Sequence, residues 1–285
     1  MTSPLHLGLE PHFAALESFL AEQEASFEPE VRPMVREVLA HPGKRLRPLL
    51  AYVLDGADTR HGADTPNHTH GAHAAVLFGD ALFAHALVLA SEHTSSTLCS
   101  IVARASRDVC SGEVCQTFSR DNQSLSLADY QRQIRMKTAV LFEAACRVGA
   151  LVAGYPQVHI DACAAFGLHL GIAYQMYDDF VDLLQDDAKA GKTLGTDAAS
   201  GKLTLPMLLE RDRRKVDILA ELRQGRSARE AISAETWREC FRMLDAEVAS
   251  AEQALAAIEG SPSPFYLLRL TGFLRQAAAK LAPSA

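Results

Sequence analysis

The chain has 285 residues, 48% of them apolar and 22% charged, with a formal net charge of −7 at pH 7. That length is ample for a sizeable core, as one large domain or two small ones. The composition is that of a soluble globular protein, and the acidic balance argues against general nucleic-acid binding, so basic clusters here have local tasks.

Residues 1–8 read as a frayed tail, without the basic and then apolar stretch of a signal peptide. Phe13, Leu16, Phe19 and Leu20 recur at helical spacing, and Pro29 ends that pattern. Val31, Met34, Val35, Val38 and Leu39 predict a second helix, stopped at His41-Pro42-Gly43. A basic turn follows in Gly43-Lys44-Arg45-Leu46-Arg47-Pro48. Residues 55–71 are polar and rich in turn formers, and a long loop of this kind is often functional. His61, His68, His70 and His73 invite a zinc reading, but no cysteine is near and the spacing matches no closed tetrahedral pattern.

From Gly71 onward the pattern is helical. The most apolar long run, Ala72 to Ala90, is interrupted by His73, Gly79-Asp80 and His85, and reads as a buried helix and not as a membrane span. Further helices are expected over about 97–118, 127–153 and 160–185, with Ser126 as an N-cap. The first carries Gly112-Glu113 and Gln116, and the second Lys137-Thr138 on a small-residue face. The third holds Gln175-Met176-Tyr177-Asp178-Asp179-Phe180-Val181-Asp182. Residues i and i+4 of a helix share a face, so Asp178 and Asp182 point the same way, with Asp179 beside them and Gln175 one turn earlier. Carboxylates on an apolar helix are costly without partners, so a cation is expected there. The spacing suits a hard divalent cation such as Mg²⁺, which takes one or two carboxylates plus water and substrate phosphate.

Two glycine-punctuated turns follow, Gly191-Lys192-Thr193-Leu194-Gly195-Thr196-Asp197 and Gly201-Lys202-Leu203-Thr204-Leu205-Pro206. Acids for a metal, together with separate basic turns, describe a site for a polyanion such as diphosphate. Another helix begins over 202–210, residues 211–235 read as charged and peripheral, and 237–258 and 264–281 read as closing amphipathic helices. No stretch alternates as a strand would, so the expected fold is all-α, a single-domain large helical bundle over residues 1–285. The six cysteines form no CxxC pair and sit among apolar helical positions. They read as small core residues in a reducing, cytoplasmic compartment.

GKRLRP, KT before LFEAA, DDFVD, GKTLGTD and GKLTLP occur in that order, and the combination resembles the trans-isoprenyl diphosphate synthases, or polyprenyl synthetases. The resemblance runs from about residue 30 to 210. It implies an isoprenoid-synthase-type bundle around a central cavity, usually a homodimer, that joins isopentenyl diphosphate to an allylic prenyl diphosphate with Mg²⁺. On that resemblance, Asp178, Asp179 and Asp182 are the second aspartate-rich motif and bind Mg²⁺, supported by Gln175. Lys137, Thr138, Lys192 and Lys202 hold the allylic diphosphate, and Asp178, Asp179, Lys137 and Lys192 carry the catalytic work. Lys44 and Arg47 hold the isopentenyl diphosphate, and Arg60 matches the first of two arginines after the family's first aspartate-rich motif. His61 stands where the second would be.

The sequence departs from the family pattern at one place. Of the first aspartate-rich motif only its last aspartate, Asp55, is present as a metal candidate, and the helix that precedes it in the family is missing between residues 48 and 55. That helix carries the residues that set product length. Two explanations stay open: a segment omitted from the sequence, or a true absence that makes the chain a non-catalytic, synthase-like subunit of a dimer. A terpene cyclase is disfavoured by the paired basic turns GKRLRP and GKLTLP, because a cyclase need not hold a second diphosphate.

Overall fold

The computed structural model describes residues 10–40, 59–60, 63–64, 71–93, 95–184, 196–258 and 263–282. The chain divides into two compact units, Met1–Leu89 and Ala90–Ala285.

In the first unit α1 (Glu10–Gln23) runs into a single 3₁₀ turn, Glu24–Ser26, and α2 (Arg32–Ala40) follows. Two short strands, β1 (Thr59–Arg60) and β2 (Ala63–Asp64), pair antiparallel within the stretch read as loop. They are the exception among the described residues to the all-α expectation. Then comes α3 (Ala72–Glu92). Val35 and Val38 of α2 pack with Phe78 and Leu82 of α3 in a small apolar core. The connection before α2 is fixed from both sides. Arg32 Nε donates to the Phe27 carbonyl at 2.8 Å, and the Phe27 ring lies 4.7 Å from that of His85.

The expectation that α3 is a buried helix fails. Val76, Leu77 and Val88 are about half exposed. Because α3 is apolar nearly all round, burying one face leaves apolar side chains on the other. By length and composition alone His73–Glu92 could cross a membrane.

The second unit holds α4 (Ser96–Phe118), α5 (Leu127–Ile134), a π-helical turn (Arg135–Ala139), α6 (Val140–Val152) and α7 (Gln157–Leu184). After these come α8 (Thr196–Ala199), α9 (Leu205–Arg214), α10 (Ile218–Arg223), α11 (Ala228–Ala231), α12 (Ala234–Ala254) and α13 (Ser263–Ala279). Helix α7 is the axis. Phe166, Ala173, Met176 and Phe180 on it are inaccessible to solvent, and it packs against α6 on one side and α12 on the other. Phe180 meets the α12 rings Trp237 and Phe241 edge-on, with centroids 5.8 and 5.1 Å away.

Ser126 caps α5 as expected, in a reciprocal capping box with Asp129. The single helix expected over 127–153 is interrupted by the π-turn at Lys137-Thr138. Gly171 of α7 faces this turn so closely that a Cβ there would lie 2.6 Å from Ala139 Cα. Gly112 of α4 does the same from another side, 2.8 Å from the Lys137 nitrogen. Two missing side chains thus bring α4 and α7 against the backbone that carries Lys137 and Thr138.

Residues 211–235 are not peripheral. Ile218, Leu219, Ala231 and Ile232 are almost wholly buried in the main core. Their helices are four and six residues long, too short to display a period. The reading of the cysteines as core residues holds for Cys163 and Cys240, but Cys110 is exposed on α4.

Candidate active site

The acidic stripe of α7 is drawn into the protein and is not an exposed charged face. Asp179 and Asp182 are buried, and Asp178 is half-buried. Asp179 is reached by three donors. Tyr130 Oη donates to Oδ2 at 2.7 Å, while Lys202 Nζ and Gln175 Nε2 each approach Oδ1 at 3.0 Å. Gln175 in turn accepts from Thr138 Oγ1 at 2.6 Å. One connected network therefore joins α5, the π-turn, α7 and the turn before α9.

Lys202 bridges two acids, Asp179 and, at 2.8 Å, Asp197 Oδ2. The Asp197 backbone N–H donates to Asp182 Oδ2 at 3.3 Å, tying the start of α8 to the acidic stripe. Burial alone would lower the Lys202 ammonium, but the Asp179 and Asp197 carboxylates outweigh it and hold it well above its usual value. Burial likewise pushes the Asp179 carboxyl up, with Lys202 and Tyr130 pulling against it. The three donors on its two oxygens favour its charged form. Tyr130 is raised far above a free phenol by burial first and the Asp179 charge second, so it stays a donor.

The turn that presents Lys202 is fixed by its glycine. Gly201 sits at φ +77°, in the left-handed region, and a Cβ there would fall 2.6 Å from the Asp121 carboxyl. The Asp121 N–H donates to the Gly201 carbonyl at 2.9 Å, and the Lys202 N–H to that of Asp197 at 2.9 Å. Arg223 Nε closes the arrangement on the Ala198 carbonyl at 3.0 Å.

Lys137 is held on α4. Its Nζ lies 2.6 Å from Glu113 Oε2 and 2.7 Å from Gln116 Oε1. The structure thus joins Thr138, Gln175, Asp179, Asp182 and Lys202 in one network, and places Lys137 beside Thr138 in the π-turn. Arg60 lies in β1, and Lys44, Arg47, Asp55 and Lys192 lie outside the described residues.

Three partners escaped the sequence reading. Tyr130 and Asp197 are the partners of Asp179 and Lys202, and Glu113 is the partner of Lys137. A signal existed for two of them: Glu113 stands in the Gly112-Glu113 pair one turn before Gln116, and Asp197 closes the GKTLGTD turn. Tyr130 gave none.

Among the described residues, no group of three or more His, Cys, Asp or Glu side chains converges to hold a metal by itself. The donors on α7 are all oxygens of Asp and Gln. They fit a hard cation that takes one or two carboxylates and completes its shell with water and phosphate, and not a metal wanting nitrogen or sulfur ligands.

The polyprenyl synthetase family matches residues 52–240. The chain is 38% identical over 156 residues to an octaprenyl diphosphate synthase of Haemophilus influenzae, covering 55% of this chain and 47% of that protein. The chain spans about half the length of the curated relatives it matches. Among solved structures, a heptaprenyl diphosphate synthase from Staphylococcus aureus superposes with a TM-score of 0.82 at 21% identity, covering 94% of this chain and 98% of that one, a likeness of fold. A polyprenyl synthase from Caulobacter crescentus, crystallised with calcium and isoprenyl diphosphate, matches with a TM-score of 0.74 at 28% identity, over 99% of this chain and 92% of that one. With the acidic stripe, the lysine-bearing π-turn and the GKLTLP turn joined in one helical core, this chain belongs to the polyprenyl synthetase family.

Proposed function

We propose that this chain is a prenyltransferase that condenses isopentenyl diphosphate with an allylic prenyl diphosphate and releases diphosphate, with Mg²⁺ as cofactor. The observation that carries the reading is the network joining the acidic stripe to the Lys137-Thr138 turn and to Lys202. A buried cluster with this much charge, with Lys202 in it and Lys137 in the adjoining turn, suits a polyanion and a cation together.

Asp178 and Asp182 would be the metal-side carboxylates of α7, with Asp55 as a third candidate, and Asp179 belongs with them through the network. Mg²⁺, when bound, neutralises the charge that builds on the departing diphosphate. Lys137 is 30% exposed at its side chain, so it can exchange Glu113 and Gln116 for a phosphate oxygen. Thr138, Lys192 and Lys202 would hold the same diphosphate, and Lys44, Arg47 and Arg60 the isopentenyl diphosphate, a part that rests on the resemblance alone. The allylic C–O bond breaks with its electron pair leaving on diphosphate. The isopentenyl alkene then forms the new C–C bond, and a proton passes to the released diphosphate. The apolar interior around α7 keeps water from the allylic cation.

A homodimer in the cytoplasm completes the proposal. The half-exposed Val114 and the exposed Phe118 on α4 support association through apolar side chains. The reading is tested by giving the purified protein isopentenyl diphosphate with C5, C10, C15 or C20 allylic diphosphates, with and without Mg²⁺, and weighing the products. A Mg²⁺-dependent longer prenyl diphosphate is expected.

One observation favours a second reading. Of the first aspartate-rich motif only Asp55 is present. A non-catalytic subunit that pairs with an active partner would give no product with any primer, from folded protein of 30.9 kDa.

A further inference from the structure

A lysine ammonium has three N–H donors, and Lys202 gives one to Asp179 and one to Asp197. Among the described residues the third has no partner. Its direction depends on the turn that runs from Asp197 to Lys202, and little within that turn is stiff. Helix α8 is only four residues long, and Gly201 sits at φ +77°. What fixes the turn comes from outside it.

The loop after α4 is tied to both ends of α10. Gln123 Nε2 donates to Asp217 Oδ1 at 3.0 Å at the start of that helix, and Arg223 Nη2 lies 2.7 Å from Asp121 Oδ1 at its end. Helix α10 is itself seated by the buried Ile218 and Leu219. Asp121 takes a left-handed φ of +56°, uncommon for a residue with a side chain. In that pose its N–H reaches the Gly201 carbonyl at 2.9 Å. The Arg223 guanidinium meanwhile donates to the carbonyls of Ala198 (Nε, 3.0 Å) and Ala199 (Nη2, 3.4 Å) at the end of α8. The Arg223 and Asp121 side chains are 40% and 59% exposed, so their ion pair by itself stabilises little. Its value is geometric, because one planar fork joins the α4 loop to the α8 carbonyls. We propose that Arg223, with Asp121, is a positioning residue for Lys202. The pair clasps the turn from the surface and so aims the third N–H of Lys202 at the diphosphate. The proposal rests on the prenyltransferase reading and adds to it an arginine outside both basic turns.

The test is calorimetry of inorganic diphosphate with Mg²⁺ on the full chain, beside steady-state kinetics. Arg223→Gln is expected to weaken diphosphate binding about tenfold, the size of one hydrogen bond from a charged group. KM for the allylic diphosphate should rise by the same factor while KM for isopentenyl diphosphate stays put. General loosening of the fold would not give that split. Arg223→Lys keeps the charge without the fork, so it should lose nearly as much. Asp121→Asn keeps the N–H and tolerates the left-handed pose, and should cost only a few-fold. In a Lys202→Met background Arg223→Gln should add nothing, since the arginine acts through the lysine. Full recovery in Arg223→Lys would reduce the arginine to a distant positive charge and overturn the proposal. So would an equal loss for both substrates, or an undiminished effect of Arg223→Gln in the Lys202→Met background. The substrate split and Arg223→Lys decide the matter if Lys202→Met does not fold. No binding by the unmodified protein would sink the prenyltransferase reading as well, whereas normal binding that ignores Arg223 sinks only the clasp.

Discussion

Lys137 Nζ lies 2.6 Å from Glu113 Oε2. The cation proposed for the allylic diphosphate is thus kept in place by an acid on a neighbouring helix. Lys137→Met should weaken binding of inorganic diphosphate by about 10–100-fold, the cost of one hydrogen bond between charged groups. Glu113→Gln should change it only a few-fold, about the worth of a partly exposed ion pair, because Gln116 still holds the ammonium at 2.7 Å. Calorimetry on the two variants checks the order. A larger loss in Glu113→Gln would contradict it.

Asp178→Ala removes a carboxylate from the side of α7 proposed for the metal. Turnover should fall by about 10²–10³-fold, the usual loss when one preorganised electrostatic group is deleted. The melting temperature should barely move, since a half-buried acid is not part of the apolar core. Steady-state kinetics beside a thermal melt separates the two effects.

Gly201→Ala sets a side chain at φ +77° and 2.6 Å from the Asp121 carboxyl. Backbone strain of this kind costs about 1–3 kcal/mol. For a unit of this size that lowers Tm by about 2–4 °C per kcal/mol. Lys202 should lose its seat between Asp179 and Asp197, so diphosphate binding falls along with stability. A variant as stable as the parent would show that the turn can relax.

Glu210 is buried, and Ser233 donates to its Oε2 through both N–H (3.1 Å) and Oγ (2.7 Å). Burial opposes its ionisation, but bonds from Thr236 and Ser233 and the nearby Arg214 outweigh that and hold the carboxyl below its ordinary value of 4.5. A carboxyl depressed on folding contributes stability above its unfolded value, and loses it as pH falls through the folded one. Glu210→Gln should therefore melt below the parent at neutral pH, and the gap should close as pH drops below 4.5. Melts taken as a pH series read this directly.

The sequence made the helices legible wherever a long apolar stripe exists, as in α4, α7 and α12. It also made the acidic stripe legible, because i, i+1 and i+4 on a helix is a local geometry. What escaped was long-range or local beyond the pattern. Tyr130 meets Asp179 across 49 residues, and no spacing rule joins a helix tyrosine to an aspartate on another helix. Ile218 and Ile232 are core residues on elements too short to show a period, so charged neighbours masked them. The π-turn was hidden because its residues, Arg135 to Ala139, continue an unbroken helical pattern. Only the approach of Gly112 and Gly171 to that backbone reveals why the turn is there.

The π-turn at Arg135–Ala139 amounts to one residue more than an ordinary helix would hold. Deleting a single residue within it would close the turn into an ordinary helix and leave α6 in its present register. Phe142 would stay in the core, but the Lys137-Thr138 pair would lose the bearing that the widened turn gives it. The irregularity thus acts as a spacer that lets one continuous rod keep two registers, a core-packing one in α6 and, just before it, the one proposed to face the diphosphate. Repairing the helix would break the site.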